Sequence, residues 1–349
     1  MNGKFQMFFL STGVVAISFG LLLIGCDDSG DSDDEPENSA DTCADGVDND
    51  KDGAVDCEDA ECFGICEADT GRYNGPLPAY NGHRGQSFNS DWKFHLGDAP
   101  GAQRESFDDS GWRSLDVPHD WSIELPFNNA SLGGSGGGFL DGGVGWYRKA
   151  FTLPVSSSIW SIFIQFDGVY MNSRVWINGK SLGSRPYGYS SFEYDLTPYL
   201  KFGDSNVIAV KVDNNQPNSR WYSGSGIYRN VWLTKVNPVH VPNSGVFVST
   251  PEITGASATV SVNTEVQNKS TVSASVTAAT TVTNSSGDIV TSDESPAVNV
   301  ATDETSSISQ TLTVDSPELW SVDSPNLYEV KVELKVGGET VDTYITSLG

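Results

Sequence analysis

The chain has 349 residues, with 20 Lys and Arg against 46 Asp and Glu and a formal net charge of −26 at pH 7. The charge is local: residues 27–69 hold eighteen acidic side chains and one basic, Lys51, and the remainder is only mildly acidic. No basic patch is available to neutralise phosphates, which excludes nucleic acid as a partner.

The first element is a targeting segment. Lys4 supplies a sparse positive start, and residues 8–24 are apolar with small residues interspersed. The run closes on Leu23, Ile24, Gly25 and Cys26, and Asp27 and Asp28 follow at once. An apolar run ending on a small residue reads as a secretory signal, not a structural helix, and an ordinary transmembrane anchor is the competing reading. The cysteine after Gly25 resembles a bacterial lipobox. Residues 1–25 are therefore expected to be a lipoprotein signal peptide, with Cys26 the lipidated mature N-terminus. That makes the protein an exported bacterial lipoprotein, anchored by lipid on the periplasmic or cell-surface side of a membrane. No later stretch is long and apolar enough to cross a bilayer. Residues 26–42 read as an acidic, self-repelling tether.

Residues 43–69 form a small module. Apart from Cys26, every cysteine lies here: Cys43, Cys57, Cys62 and Cys66. An even number in an exported chain suggests two disulfides, with three pairings open. Asp48, Asp50 and Asp52 alternate before Gly53, and carboxylates in such a tight loop can wrap a hard cation, with Asp56 closing it. The final Glu of an EF-hand is not at its usual place, and no flanking helices are evident. The segment resembles the Cys-bounded, Asp-rich modules of exported bacterial proteins, which implies calcium as its cofactor. A metal-free acidic spacer is the alternative.

From residue 73 to 236 aromatics become dense and charges sparse. Short β-branched and aromatic runs at 160–166, 174–178, 207–212 and 231–236 are separated by turn signals such as Asn178-Gly179, and no long helical period appears. This pattern predicts an all-β jelly-roll sandwich, galactose-binding-like. Within it, residues 213–233 are polar, aromatic and glycine-rich together. Aromatic faces stack on pyranose rings, Asp and Asn fork to vicinal hydroxyls, and glycines let the backbone approach closely. Asp213, Asn214, Arg220 and Trp221 are the candidate substrate-binding residues. The competing reading is that Asp213 turns the strand end, Arg220 pairs with it, and Trp221 packs. The glycine-rich stretch 133–145 lacks a following Lys-Ser/Thr and opens no helix, so it reads as a rim and not a phosphate loop. His119 and Asp120 point apart in an extended segment and read as structural.

Residues 238–349 alternate Thr, Ser and Val, as at 258–263 and 271–276. Period-two alternation buries one face and wets the other. About seven strands are expected, in an immunoglobulin-like β-sandwich without the two-cysteine hallmark.

Eight pieces in order carry a family resemblance: 91–97 (Asp91-Trp92-Lys93-Phe94), 117–121 (Val117-Pro118-His119-Asp120-Trp121), 142–149, 166–170, 175–180, 187–189 (Tyr187-Gly188-Tyr189), 195–200 and 220–233. Together they resemble the N-terminal sugar-binding domain of glycoside hydrolase family 2, the β-galactosidase group. Residues 319–328, with Trp320 and Tyr328 expected to pack together, resemble the sandwich that follows it. The resemblance implies a carbohydrate partner, a galactoside-like glycan, and places a sugar-facing carboxylate at Asp213. It also implies a catalytic barrel whose two glutamates retain anomeric configuration. No barrel pattern is found in the sequence. The expectation is a non-catalytic part of an exo-glycosidase that is inactive alone. A surface lipoprotein that binds glycans without cleaving them is the alternative.

Overall fold

The computed structural model describes residues 77–78 and 84–349. The signal peptide, Cys26, the tether, the four other cysteines and the Asp48, Asp50, Asp52 and Asp56 loop lie outside the described residues.

Ten strands build the first domain: β1 (Gly85–Ser87), β2 (Trp92–Leu96), β3 (Arg113–Leu115), β4 (Gly143–Thr152), β5 (Ser161–Phe166), β6 (Ser173–Ile177), β7 (Lys180–Arg185), β8 (Phe192–Asp195), β9 (Ser205–Asn214) and β10 (Val231–Val236). They form a four-stranded sheet, β1-β10-β5-β8, and a six-stranded sheet, β3-β2-β4-β9-β6-β7. Every pairing between these strands is antiparallel. This is the expected jelly-roll sandwich. Its core lies between the sheets and includes Trp92, Tyr147, Ile164, Phe166 and Val210, all with no exposed surface. In β9 Ile208, Val210, Val212 and Asn214 are buried on the inner face, whereas Lys211 and Asp213 are half-buried on the outer face, where Ala209 is covered together with Trp146 and Trp176.

Local chemistry fixes the turns. Asn178 and Gly179, at φ 52° and 82°, make the β6–β7 hairpin in the geometry that an Asn-Gly pair favours. The Asn178 side chain then donates to Tyr199 O at 2.9 Å and accepts from Val207 N–H at 2.8 Å, tying the hairpin to the start of β9.

The second domain contains nine strands: β11 (Val239–His240), β12 (Val246–Ile253), β13 (Ser257–Asn268), β14 (Ala274–Thr283), β15 (Ile289–Glu294), β16 (Val298–Val300), β17 (Thr305–Asp315), β18 (Tyr328–Val336) and β19 (Glu339–Leu348). One sheet orders β11-β13-β12 with β17 also on β13; the other orders β15-β14-β18-β19 with β16 also on β14. About seven strands were expected. The difference comes from β11 and β16, which have two and three residues and carry too little pattern to show in sequence. The alternation of β13 and β14 is as expected, and Val260, Val262, Val276, Val330 and Val332 fill the core. The packing expected between Trp320 and Tyr328 is absent. Trp320 is 51% exposed, and the Tyr328 hydroxyl instead accepts from Glu318 N–H at 2.7 Å. Both rings line one apolar cleft of 480 Å³.

The domains meet through a buried polar contact. Arg84, just before β1, donates to the Asp342 carboxylate on β19 and to Val241 O. Asp342 also accepts from Val241 N–H at 2.8 Å. The Tyr344 ring lies 5.1 Å from the Arg84 guanidinium. Beside this contact, His240 is buried against Phe163 of β5, and burial pushes its imidazole down to about 3.

Candidate functional site

The segment after β9 folds into a rim held by a half-buried polar hub. Backbone of 225–227 lies between two neighbours. On one side His119 N–H donates to Ile227 O at 2.8 Å and Trp121 N–H to Ser225 O at 3.1 Å. On the other, Tyr170 and Gly226 exchange both hydrogen bonds, each at 2.9 Å. Gly226 permits this close approach: its φ is +119°, and a Cβ there would strike the Tyr147 hydroxyl.

Asp120 is the hub. Its Oδ1 accepts from Ser225 N–H at 2.8 Å and Ser122 N–H at 3.0 Å, and its Oδ2 accepts from the Tyr222 hydroxyl at 2.5 Å. Burial and the Asp120 carboxylate push the Tyr222 phenol up, so it stays a donor. His119 turns the other way, with Nδ1 2.7 Å from the Tyr147 hydroxyl and Nε2 near Glu124 and Arg113. Burial pushes its imidazole down, partly offset by Glu124. The opposite orientation expected of this pair holds: Asp120 faces Ser122, Ser225 and Tyr222, whereas His119 faces Tyr147, Glu124 and Arg113.

Around the hub lies an aromatic surface. Trp221 Nε1–H donates to the Tyr189 hydroxyl at 2.7 Å. The Tyr189 ring sits 5.2 Å from Tyr170, 5.6 Å from Tyr187 and 6.5 Å from Tyr228. Trp221 and Tyr187 remain 58% and 62% exposed, offering ring faces to a ligand. The glycine-rich stretch closes one side: Gly133 N–H donates to Gln216 Oε1 at 3.2 Å, and a Cβ on Gly138 would meet the Tyr222 ring.

The four candidate residues fall in three places. Arg220 and Trp221 are exposed on the rim, and no ion pair joins Arg220 to Asp213 among the described residues. Asn214 is 1% exposed. Its amide donates to Gly224 O at 2.9 Å and to the Ser225 hydroxyl at 2.6 Å, while its oxygen accepts from Asn218. It holds the rim from below because β9 alternation turns even-numbered residues inward. Asp213 lies inside β9, not just beyond its end, and faces outward with Oδ1 accepting from Asn215 N–H at 3.0 Å. Sequence reasoning missed Asp120, Tyr222 and Tyr189 as rim builders. Tyr187-Gly188-Tyr189 was visible as a motif, but nothing local showed that it would meet Trp221.

Among the described residues, no group of three His, Cys, Asp or Glu could hold a metal ion. No helix among them is long and apolar enough to cross a membrane.

A two-sheet jelly roll with an aromatic, hydroxyl-rich rim, followed by a nine-stranded sandwich, defines a sugar-binding module joined to an immunoglobulin-like domain. Residues 86–237 match the sugar-binding domain of glycosyl hydrolases family 2, and residues 239–349 match a second domain of the same family. The chain belongs to glycosyl hydrolase family 2. It is 48% identical over 263 residues to the β-galactosidase BoGH2A of Bacteroides ovatus, covering 75% of this chain and 31% of that protein. It is 43% identical over 264 residues to a putative β-glucuronidase of Formosa agariphila, covering 75% of this chain and 25% of that protein. A solved family 2 member from Bacteroides cellulosilyticus superposes with a TM-score of 0.73 at 39% identity, covering 76% of this chain and 35% of the other. The chain thus spans about a third or less of these relatives' length, in their N-terminal part.

Proposed function

We propose that this chain is the non-catalytic N-terminal part of an exported, lipid-anchored β-galactosidase-type retaining glycosidase that acts on terminal sugars of glycans. The observation that carries the reading is the rim in which Trp221 bonds Tyr189 and Tyr222 bonds Asp120, in a domain matching the family's sugar-binding module. In the whole enzyme the rim borders the sugar subsite, supplying ring faces for stacking and hydroxyls for hydrogen bonds. The carboxylates for double displacement belong to a barrel beyond the two domains. Cys26 carries the lipid, and the Asp48–Asp50–Asp52–Asp56 loop holds calcium. The likeness to BoGH2A favours a galactoside over a glucuronide.

The test is turnover. Purified chain is incubated with aryl β-galactoside and aryl β-glucuronide, and no aglycone release above buffer is expected. Release from either substrate overturns the non-catalytic assignment.

A second reading is a surface lipoprotein that binds glycans without cleaving them. It is favoured by the rim being already preorganised, with Trp221 and Tyr222 both held by hydrogen bonds within the chain. Millimolar or tighter affinity of the chain for galactosides supports this reading.

A further inference from the structure

The outer face of the six-stranded sheet carries a cleft of 570 Å³ that is separate from the rim residues described above. Its floor is the stacked pair Trp146 and Trp176, with centroids 5.4 Å apart. Its walls include Asp98 and Gln103 from the loop between β2 and β3, Arg174 on β6, and Asp213 on β9.

The charges in this cleft are arranged in a way that folding alone does not favour. Arg174 stands directly opposite Lys211 in the β6–β9 register, and like charges facing across strands are destabilising. Elsewhere on this side of the domain, cations find carboxylates from the covering loop. Lys211 lies 3.0 Å from Asp98, Arg148 is 2.7 Å from Asp109, and Lys201 reaches Glu105. Arg174 is exposed and has no such partner among the described residues. Asp213 lines the same cleft, and its carboxylate meets only the Asn215 N–H. A guanidinium and a carboxylate thus share one cleft without pairing, each keeping hydrogen-bonding capacity.

We propose that this cleft is a second carbohydrate subsite, taking a neutral, hydroxyl-rich segment of a glycan that is not itself cleaved. Arg174 donates to sugar oxygens, and the free oxygen of Asp213 accepts from sugar hydroxyls. Gln103 adds an amide, and the buried pair Trp146 and Trp176 closes the cleft beneath these polar groups. An anionic ligand fits poorly, because Asp98 and Asp213 balance Arg174 and Lys211. A metal ion would meet two cations. The choice of ligand class rests on the glycan reading of the chain, whereas the cleft itself does not.

The experiment is an NMR titration of the chain with galactotetraose, following the assigned indole Nε1–H signals of Trp146, Trp176 and Trp221. Movement of Trp146 and Trp176 is expected. Arg174→Met is expected to weaken that response about tenfold or more, as loss of a charged hydrogen-bond donor does. Its melting temperature should stay the same or rise, because a like-charge pair is relieved. Movement of Trp221 alone overturns the subsite and leaves the rim reading intact. Movement of none of the three overturns the subsite and counts against glycan binding by this chain altogether. An unchanged response in Arg174→Met also overturns it.

Discussion

Removing Arg84 should unlock the junction between the two domains. The Asp342 carboxylate is fully buried, the Arg84 side chain is 20% exposed, and Arg84 also bonds Val241 O. Arg84→Met keeps much of the apolar stem and leaves Asp342 buried without its cation. Breaking a buried pair in this way costs about 3–5 kcal/mol, and the partial exposure of Arg84 places the expected loss near ~3 kcal/mol. Burial already pushes the Asp342 carboxyl up even with Arg84 beside it, and its Oδ1 has no partner. Without Arg84 its folded pKa rises further. A carboxyl whose folded pKa is raised loses its contribution to stability as pH rises through that value. The penalty should therefore be larger at pH 8 than at pH 5, because a raised pKa lets Asp342 take up a proton at a higher pH than an ordinary carboxyl does. Adding Asp342→Asn removes the stranded charge while its amide oxygen still accepts from Val241 N–H. The double variant should recover to within about 1–2 kcal/mol of the parent. The assay is urea unfolding at the two pH values, followed by tryptophan fluorescence and far-ultraviolet circular dichroism. A loss below ~1 kcal/mol at pH 8, or an equal loss at both pH values, refutes the reasoning.

Three further outcomes are expected. Burial raises Glu193 to about 7, opposed by Arg84 and reinforced by Asp195, so its contribution is present below its unfolded value and lost as pH rises through 7. Glu193→Gln should stabilise the chain by roughly 1–3 kcal/mol at pH 8 and little at pH 4, read from melting temperatures; the same gain at both pH values contradicts this. Gly226→Ala should cost about 2–4 kcal/mol, because its φ of +119° and the Tyr147 hydroxyl leave no room for a methyl group; retention of parental stability in urea would show that the rim can give way. Asp120→Ala removes three hydrogen bonds and should cost about 2–4 kcal/mol. It should also lower the Tyr222 phenol pKa, measured by ultraviolet titration against Tyr222→Phe as reference, and an unmoved phenol contradicts the hub.

The all-β class, the Asn178-Gly179 hairpin and the two-faced strands of the second domain were legible in the sequence because each rests on neighbours. Period-two alternation and turn chemistry are local signals, and β13 and β14 obey them residue by residue. Even the separation of Asp213 from Asn214 follows from alternation once the strand is known to run through Asn214 and not to stop at Val212. The ordered motifs also fixed the family, since eight pieces in sequence leave little room for coincidence. Other features depended on contacts between distant segments. Asp120 became a hub only when 225–227 folded against 119–121, and Trp221 found Tyr189 only through the tertiary fold. The Arg84–Asp342 junction joins residues near opposite ends of the two domains. The outer cleft needs a loop between β2 and β3 to lie over β6 and β9. Hydrogen bonds and ion pairs act over a few ångströms, so sequence names the groups that can make them, and the packing of the sheets decides which ones meet.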